Sequence, residues 1–402
     1  MMKALEGRKV IGFEHAWTGP LASMMLADMG ADVVKVEEPH VGDHVRNWTR
    51  NDLHGLSPHF LSANRNKRSI IIDLKNPDGK KTAFDLIAEA EVLVENFSPG
   101  VANSLGIGYE EMSKINPGLV YCSVNGFGAD GPYSRHRAYD LLIQAEGGII
   151  SVTGQSDGRL AKVGVPVVDM ISGMVGAFSI VCALMEKDRT GKGRLIDVSM
   201  LEVAASTMAF NFFSYALSGV EPRPLGTAHP LLAPYEVFEA KEGHIALSIL
   251  TEQHWHKFCA LIGRSELAND PRYHVAPMRV EHREALGDEL KPVFVSRTAD
   301  EWVRVLNDAG LACSKVNRMN DLLKHPQLHA RGFFESWALP GVDRTVLAPG
   351  APWFAGEQHK ADRLPPAHGE HSCEILRDWL KLDPDAVKAI AAGGGIAGQD
   401  ID

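Results

Sequence analysis

Lys9-Val10-Ile11-Gly12-Phe13 and Asp32-Val33-Val34-Lys35-Val36-Glu37 bracket a helical pattern that runs from Leu21 to Met29 and stops at Gly30. Two short β-branched runs with a helix between them form a βαβ unit, whose strands must be parallel. The pattern continues downstream. Ser69-Ile70-Ile71-Ile72-Asp73-Leu74, Val92-Leu93-Val94-Glu95-Asn96 and Leu119-Val120-Tyr121-Cys122-Ser123-Val124 read as further strands. Asn76 caps a helix with Pro77 at its first position. Strands alternating with helices predict an α/β fold around a doubly wound parallel sheet. Ligands of such sheets sit beyond the carboxyl ends of the strands. The loops after strands one, two and four are therefore the places to look.

The chain has 402 residues, enough for more than one domain. The composition shifts near Glu221-Pro222-Arg223-Pro224-Leu225-Gly226, which reads as a linker. A hairpin pattern follows, Tyr235 to Ala240 and His244 to Ile249 around Lys241-Glu242-Gly243, then helical patterns from Glu252 to Ile262 and Ala299 to Ala309. This gives a large domain over residues 1–220, a smaller α+β domain over 225–325, and a linker and C-terminal segment over 326–402 that returns to the large domain. The tail Ala391-Ala392-Gly393-Gly394-Gly395 reads as a frayed end.

The net charge of −10 argues against nucleic acid or an anionic membrane surface as partner. Arg65-Asn66-Lys67-Arg68, with Lys75, Lys80 and Lys81, is the densest basic region. Five scattered cysteines without a C-x-x-C pair suit reduced thiols in the cytoplasm, and the N-terminus lacks a signal-peptide core. The apolar stretch Met170 to Met185 is 16 residues, short of a bilayer span, and reads as a buried core helix.

Asp169 stands between that stretch and Val163-Gly164-Val165-Pro166-Val167-Val168. A carboxylate so placed is capped, paired or used. From spacing alone the simplest role is a helix N-cap, where the dipole favours the ionised form. Histidine pairs such as His254/His256, His325/His329 and His368/His371 lack matching third ligands, so no metal site is expected. The glycines at 126, 128 and 131 lack dinucleotide-binding spacing.

A series of blocks goes further. Ala27-Asp28-Met29-Gly30-Ala31-Asp32 is followed by Gly42-Asp43, Asn64-Arg65-Asn66-Lys67-Arg68-Ser69 and Val94-Glu95-Asn96-Phe97-Ser98-Pro99-Gly100. Then come Gly126-Phe127-Gly128, Ala138-Tyr139-Asp140, Asp169, Gly226-Thr227-Ala228-His229-Pro230 and Gly369-Glu370-His371. In order and spacing these resemble the family III CoA-transferases (CaiB/BaiF type), from about residue 7 to residue 378.

The resemblance implies a Rossmann-like large domain, a smaller domain and an interlocked, ring-like homodimer. It makes Asp169 the catalytic nucleophile, which forms an aspartyl anhydride and then an aspartyl-CoA thioester. It places Lys75, Asn96, Phe97 and Arg137 on CoA, and His15, Trp17, Tyr139 and Asp140 in the substrate pocket. Coenzyme A enters as the thioester substrate, with no tightly bound cofactor. Glu38 and Ser104 stand where formyl-CoA transferases have arginines, so Arg46, Arg65 or Arg68 are alternative phosphate partners. Trp17 replaces the glutamine of those enzymes, which argues against oxalate and formate. The Gly226–Pro230 block with Pro234-Tyr235 resembles branches that use succinyl-CoA and C4–C6 dicarboxylates.

Two rivals stand beside this reading. The α-methylacyl-CoA racemases share the fold and the aspartate but place a histidine base where Tyr139 stands, and tyrosine, with a pKa near 10, is a poor α-proton base. A catalytically silent acyl-CoA binding protein would not need Asp169.

Overall fold

A computed structural model describes residues 3–350 and 360–401. Part of the expected C-terminal segment, residues 351–359, lies outside them. Two compact units are present. The first comprises the residues up to Ile149, Val163–Phe213 and those from Leu328 onward; the second comprises Ile150–Lys162 and Ser214–Gln327. The unbroken stretch expected over 1–220 does not include the excursion at Ile150–Lys162. Its reason is local: Gly154 bridges Leu160, and the Gly226 N–H donates to the Gly154 carbonyl at 2.9 Å, so this loop belongs with the segment after residue 220.

The first unit is built on strands β1 (Lys9–Phe13), β2 (Asp32–Glu37), β3 (Lys67–Ile72), β4 (Val92–Glu95), β5 (Val120–Asn125) and β6 (Arg194–Ser199). They are parallel, in the order β3-β2-β1-β4-β5-β6. Side chains alternate across the sheet. Ile11, Val34, Ile70, Leu93 and Tyr121 face one layer, filled by Leu86, Ile87, Ile375 and Trp379. Val10, Val33, Val92, Val94 and Val120 face the other, filled by Leu26, Ile180 and Leu184. Burial on both faces is why these strands read as nearly continuous apolar runs. β6 escaped the sequence reading because it is an edge strand, exposed over Arg194 and Leu195 and not a clear apolar run.

Two expectations need correction. The glycine-rich tail is docked, not frayed. Ile396 and Ala397 pair antiparallel with β3, and the Asp73 N–H donates to the Gly395 carbonyl at 3.0 Å. The Met170–Met185 run belongs to a 24-residue helix, Val167–Thr190, so its length does not distinguish it from a membrane span. Nor is it buried all round. Gly173, Gly176, Ala177, Ile180 and Leu184 face the protein, while Phe178 and Met185 are 72% and 69% exposed.

The second unit has a three-stranded antiparallel sheet of Tyr235–Glu239, His244–Ser248 and Ala312–Lys315, packed with helices Glu252–Leu261 and Ala299–Asp308 around Trp255, Phe258, Phe294 and Trp302. Thr298 and Glu301 close a capping box on the last helix.

Candidate active site

β1 lies between β2 and β4, so successive connections leave it in opposite directions. This is the topological switch point of the sheet, where doubly wound folds bind ligands. The loops after β1 and β4 are clasped across it. Asn96 accepts from the His15 N–H through Oδ1 and donates through Nδ2 to the His15 carbonyl, each at 2.8 Å. The His15 ring lies 5.4 Å from Phe97 and 6.1 Å from His44. Burial and the nearby Lys35 ammonium lower its pKa, so the imidazole is neutral at pH 7. Ala16 turns the chain with a φ of 61°, and its N–H donates to Asp43 Oδ1 at 3.1 Å.

Beneath this loop lies a set of buried ions that a one-dimensional reading misses. Lys35 and Lys67, in β2 and β3, are fully buried. Lys67 Nζ donates to Glu14 Oε1 at 2.7 Å, to the Pro20 carbonyl at 2.8 Å and to Asn64 Oδ1 at 2.9 Å. Lys35 Nζ reaches the Glu14 carbonyl at 2.8 Å and Asp43 Oδ2 at 3.0 Å. A buried pair of this kind adds little net stability, but losing one partner strands a charge. Lys35 donates to the Glu14 carbonyl at the start of the loop and Lys67 to the Pro20 carbonyl in the first turn of the following helix, and so together they fix the loop's two ends.

Trp17 ends that loop and Thr18 starts the next helix, Thr18–Asp28. That helix packs against Val167–Thr190 at close range: a Cβ on Gly173 would lie 2.9 Å from the Thr18 carbonyl oxygen. Asp169 sits in the first turn of the longer helix, and the Thr18 hydroxyl donates to its Oδ1 at 2.5 Å. Asp169 is not the cap. Asp140 is: its Oδ1 accepts from the backbone N–H groups of Val168 at 2.9 Å and Asp169 at 3.3 Å. Burial raises the Asp169 pKa to about 6, the Thr18 hydrogen bond opposes this, and Asp140 adds to it. A carboxyl so placed ionises less readily than an ordinary one, because burial penalises the charged form. At pH 7 about nine in ten such groups are still charged.

The remaining expected residues fall into two sets. His15, Trp17, Asn96, Phe97 and Asp140 belong to the loops and helix ends just described. Trp17 Nε1 donates to Ser62 Oγ at 3.0 Å. Tyr139 is exposed and precedes the Asp140–Glu146 helix as its N-cap residue. Lys75 and Arg137 are exposed. The suggested substitute arginines are already committed. Arg46 pairs with Glu37 at 2.6 Å, Arg65 with Asp28 at 2.7 Å, and Arg68 with Asp32 at 2.6 Å, Asp378 at 2.9 Å and Glu374 at 3.0 Å. The basic run at 65–68 is thus a structural element, not an open anion site.

His15, Asp43 and His44 offer ligand atoms within 4.8 Å of one another. The Lys35 ammonium 3.0 Å from Asp43 already supplies the positive charge there, which disfavours a cation. Thr18 was not singled out from the sequence. The signal available was Thr18-Gly19-Pro20, a polar residue and a proline at a helix start.

A model of the CoA-transferase family III matches residues 5–372. The chain belongs to that family. The succinyl-CoA:glutarate CoA-transferase of Mus musculus is 31% identical over 395 residues, covering 98% of this chain and 91% of that one. The succinyl-CoA:mesaconate CoA-transferase of Haloarcula hispanica is 34% identical over 384 residues, covering 93% and 96%. A CaiB/BaiF family protein from Brucella suis superposes with a TM-score of 0.84 at 33% identity, covering 94% of this chain and all of the other. The protein is a CoA-transferase acting on CoA thioesters, and the parallel-dominated sheet is that of the CaiB/BaiF fold.

Proposed function

We propose that this CoA-transferase moves CoA from succinyl-CoA to a C4–C6 dicarboxylic acid, with Asp169 as the nucleophile. The substrate class is supported by relatives named for succinyl-CoA with glutarate or mesaconate. The observation that carries the mechanism is the setting of Asp169. Its carboxylate is partly withdrawn from water, titrates near pH 6, and stands at a helix start beside the switch-point loop.

The carboxylate attacks the donor acyl carbon and CoA thiolate leaves, giving a mixed anhydride. The thiolate adds to the Asp169 carbonyl carbon and expels the donor acid, giving the aspartyl thioester. The acceptor carboxylate displaces the thiolate to form a second anhydride. The thiolate then takes the acceptor acyl group and frees Asp169. This is covalent catalysis by a carboxylate. Withdrawal from water protects both anhydrides from hydrolysis.

Phe97, beside His15, suits contact with CoA, and the exposed Lys75 and Arg137 suit its phosphates. The apolar outer faces of two helices suit a homodimer, as an interlocked ring requires. Phe178 is 72% exposed on the Asp169 helix, and Phe213 and Leu217 are 71% and 87% exposed on Ala209–Ser218. Sedimentation at nanomolar concentration should show about 88 kDa, twice the 43.8 kDa chain mass. All five cysteines are free, which suits a reducing compartment such as the cytoplasm.

The test of the reaction is incubation of succinyl-CoA with glutarate, mesaconate, itaconate, citramalate, malate or oxalate. A new dicarboxyl-CoA from one of the first five supports the reading. Activity with oxalate alone contradicts it. Rapid α-deuterium uptake into a 2-methylacyl-CoA without any acceptor acid favours the racemase.

A further inference from the structure

The two carboxylate oxygens of Asp169 have different surroundings. Oδ1 accepts the Thr18 hydroxyl at 2.5 Å, whereas Oδ2 has no hydrogen-bond donor among the described residues. Thr18 is only 5% exposed, and the backbone on both sides of it is held by other contacts. Ala16 N–H is held by Asp43, Trp17 Nε1 by Ser62, and a Cβ on Gly19 would lie 3.0 Å from the Asn96 side chain. The Thr18 carbonyl abuts Gly173 of the Asp169 helix itself. A β-branched side chain on so held a backbone has few rotamers, which favours the hydroxyl staying where it is if the carboxylate turns.

We propose that Thr18 is a catalytic residue: its hydroxyl reserves Oδ1 as the carbonyl oxygen of each aspartyl intermediate, leaves Oδ2 to attack, and stabilises the oxyanion that develops on Oδ1. The inference rests on Asp169 being the nucleophile. Oδ2 bonds to the donor acyl carbon as the carbon–sulfur bond breaks. When CoA thiolate adds to the Asp169 carbonyl carbon, the carbonyl electron pair moves onto Oδ1, facing the Thr18 O–H. Collapse restores that carbonyl and expels the donor carboxylate, which carries Oδ2 away. The acceptor carboxylate then adds to the same carbon, its charge again on Oδ1, and thiolate leaves. When thiolate takes the acceptor acyl group, an acceptor oxygen stays behind in the place of Oδ2. Each turnover thus replaces Oδ2 and spares Oδ1. A donor aimed at the oxyanion before charge develops needs no reorganisation, which is where such donors gain their effect.

The experiment follows oxygen-18. Enzyme is turned over many times with succinyl-CoA and a large excess of glutarate labelled in both carboxylates, then digested, and the peptide containing Asp169 is weighed. Wild type should hold one heavy oxygen however many turnovers pass. Thr18→Val, nearly the same shape without the hydroxyl, should lose kcat by about a hundredfold and hold two, because a free carboxylate turns between cycles. Thr18→Ser, which keeps the hydroxyl but not the branch, should recover most of the lost kcat, and Thr18→Ala serves as a second deletion if the valine variant does not fold. Two heavy oxygens in wild type overturn the proposal, as does a valine or alanine variant with a single label and wild-type kcat. No label at all in an active wild type removes Asp169 as nucleophile, and the proposal with it.

Discussion

The Asp140 carboxylate caps the helix that carries Asp169, with one oxygen accepting the backbone N–H groups of Val168 and of Asp169 itself. The capping carboxylate therefore orients the reacting residue and also charges its surroundings. Asp140 adds to the raised Asp169 pKa through like-charge repulsion. Two acidic residues 29 positions apart divide the roles that a linear reading assigned to Asp169 alone.

The acid limb of kcat/KM should reflect this. With Asp169 at about 6, wild-type activity should fall about tenfold per pH unit below that value. Asp140→Asn keeps an accepting oxygen and removes the charge, so its acid limb should move to lower pH. Asp140→Ala should also cost about 1 kcal/mol of stability as the helix loses its cap. A pH–rate series on both variants checks this. An Asp140→Asn limb at or above the wild-type one contradicts the electrostatic account.

Asp169 should cost the protein stability where it serves catalysis. Its folded-state pKa of about 6 lies above the unfolded value near 3.9, so the native state disfavours the charge. The cost is complete above pH 6, shrinks as pH falls through that range, and is gone below about pH 4. Asp169→Asn should be inactive yet more stable than wild type by about 1–3 kcal/mol at pH 7.5. The difference should vanish near pH 4. Urea unfolding at both pH values measures it, and equal stability at pH 7.5 contradicts the shift.

Much of the scaffold was legible in the sequence, for physical reasons. β1 to β5 are dense in Val and Ile because both faces are covered, and Asn76-Pro77 announces its helix through purely local chemistry. The candidate site was legible only as Asp169 and the loops around it. Lys35 and Lys67 look like solvated residues on strands, and only the juxtaposition of β2 and β3 with the loop after β1 buries them. Thr18 meets Asp169 across 151 residues of chain, and the arginines at 46, 65 and 68 meet their acidic partners only in the fold. None of these pairings leaves a local periodicity.

The buried ions under the loop should be costly to disrupt. Lys67→Met leaves Glu14 with Lys35 at 4.0 Å as its remaining cation. The variant should lose about 3–5 kcal/mol of stability. Because Lys67 also holds the Pro20 carbonyl, kcat should fall in the fraction that stays folded. Denaturant titration with turnover measured on the folded protein tests both parts. A stable, fully active variant contradicts the assignment.

Recognition of CoA should depend on exposed cations, since the nearby arginines are internally paired. Charge-removing changes at Lys75 or Arg137 should raise KM for succinyl-CoA several-fold with little effect on kcat, and the residual affinity should be less sensitive to salt. If neither change affects KM, the phosphates are held elsewhere.

The central claim is that Asp169 is acylated during CoA transfer. Wild type is mixed with succinyl-CoA alone, quenched with hydroxylamine and digested, and the peptides are sequenced by mass spectrometry. A hydroxamate on Asp169, absent from Asp169→Asn and from enzyme without succinyl-CoA, is the expected result. An unmodified Asp169 in enzyme that still forms dicarboxyl-CoA, or a hydroxamate at another carboxylate, would contradict the account.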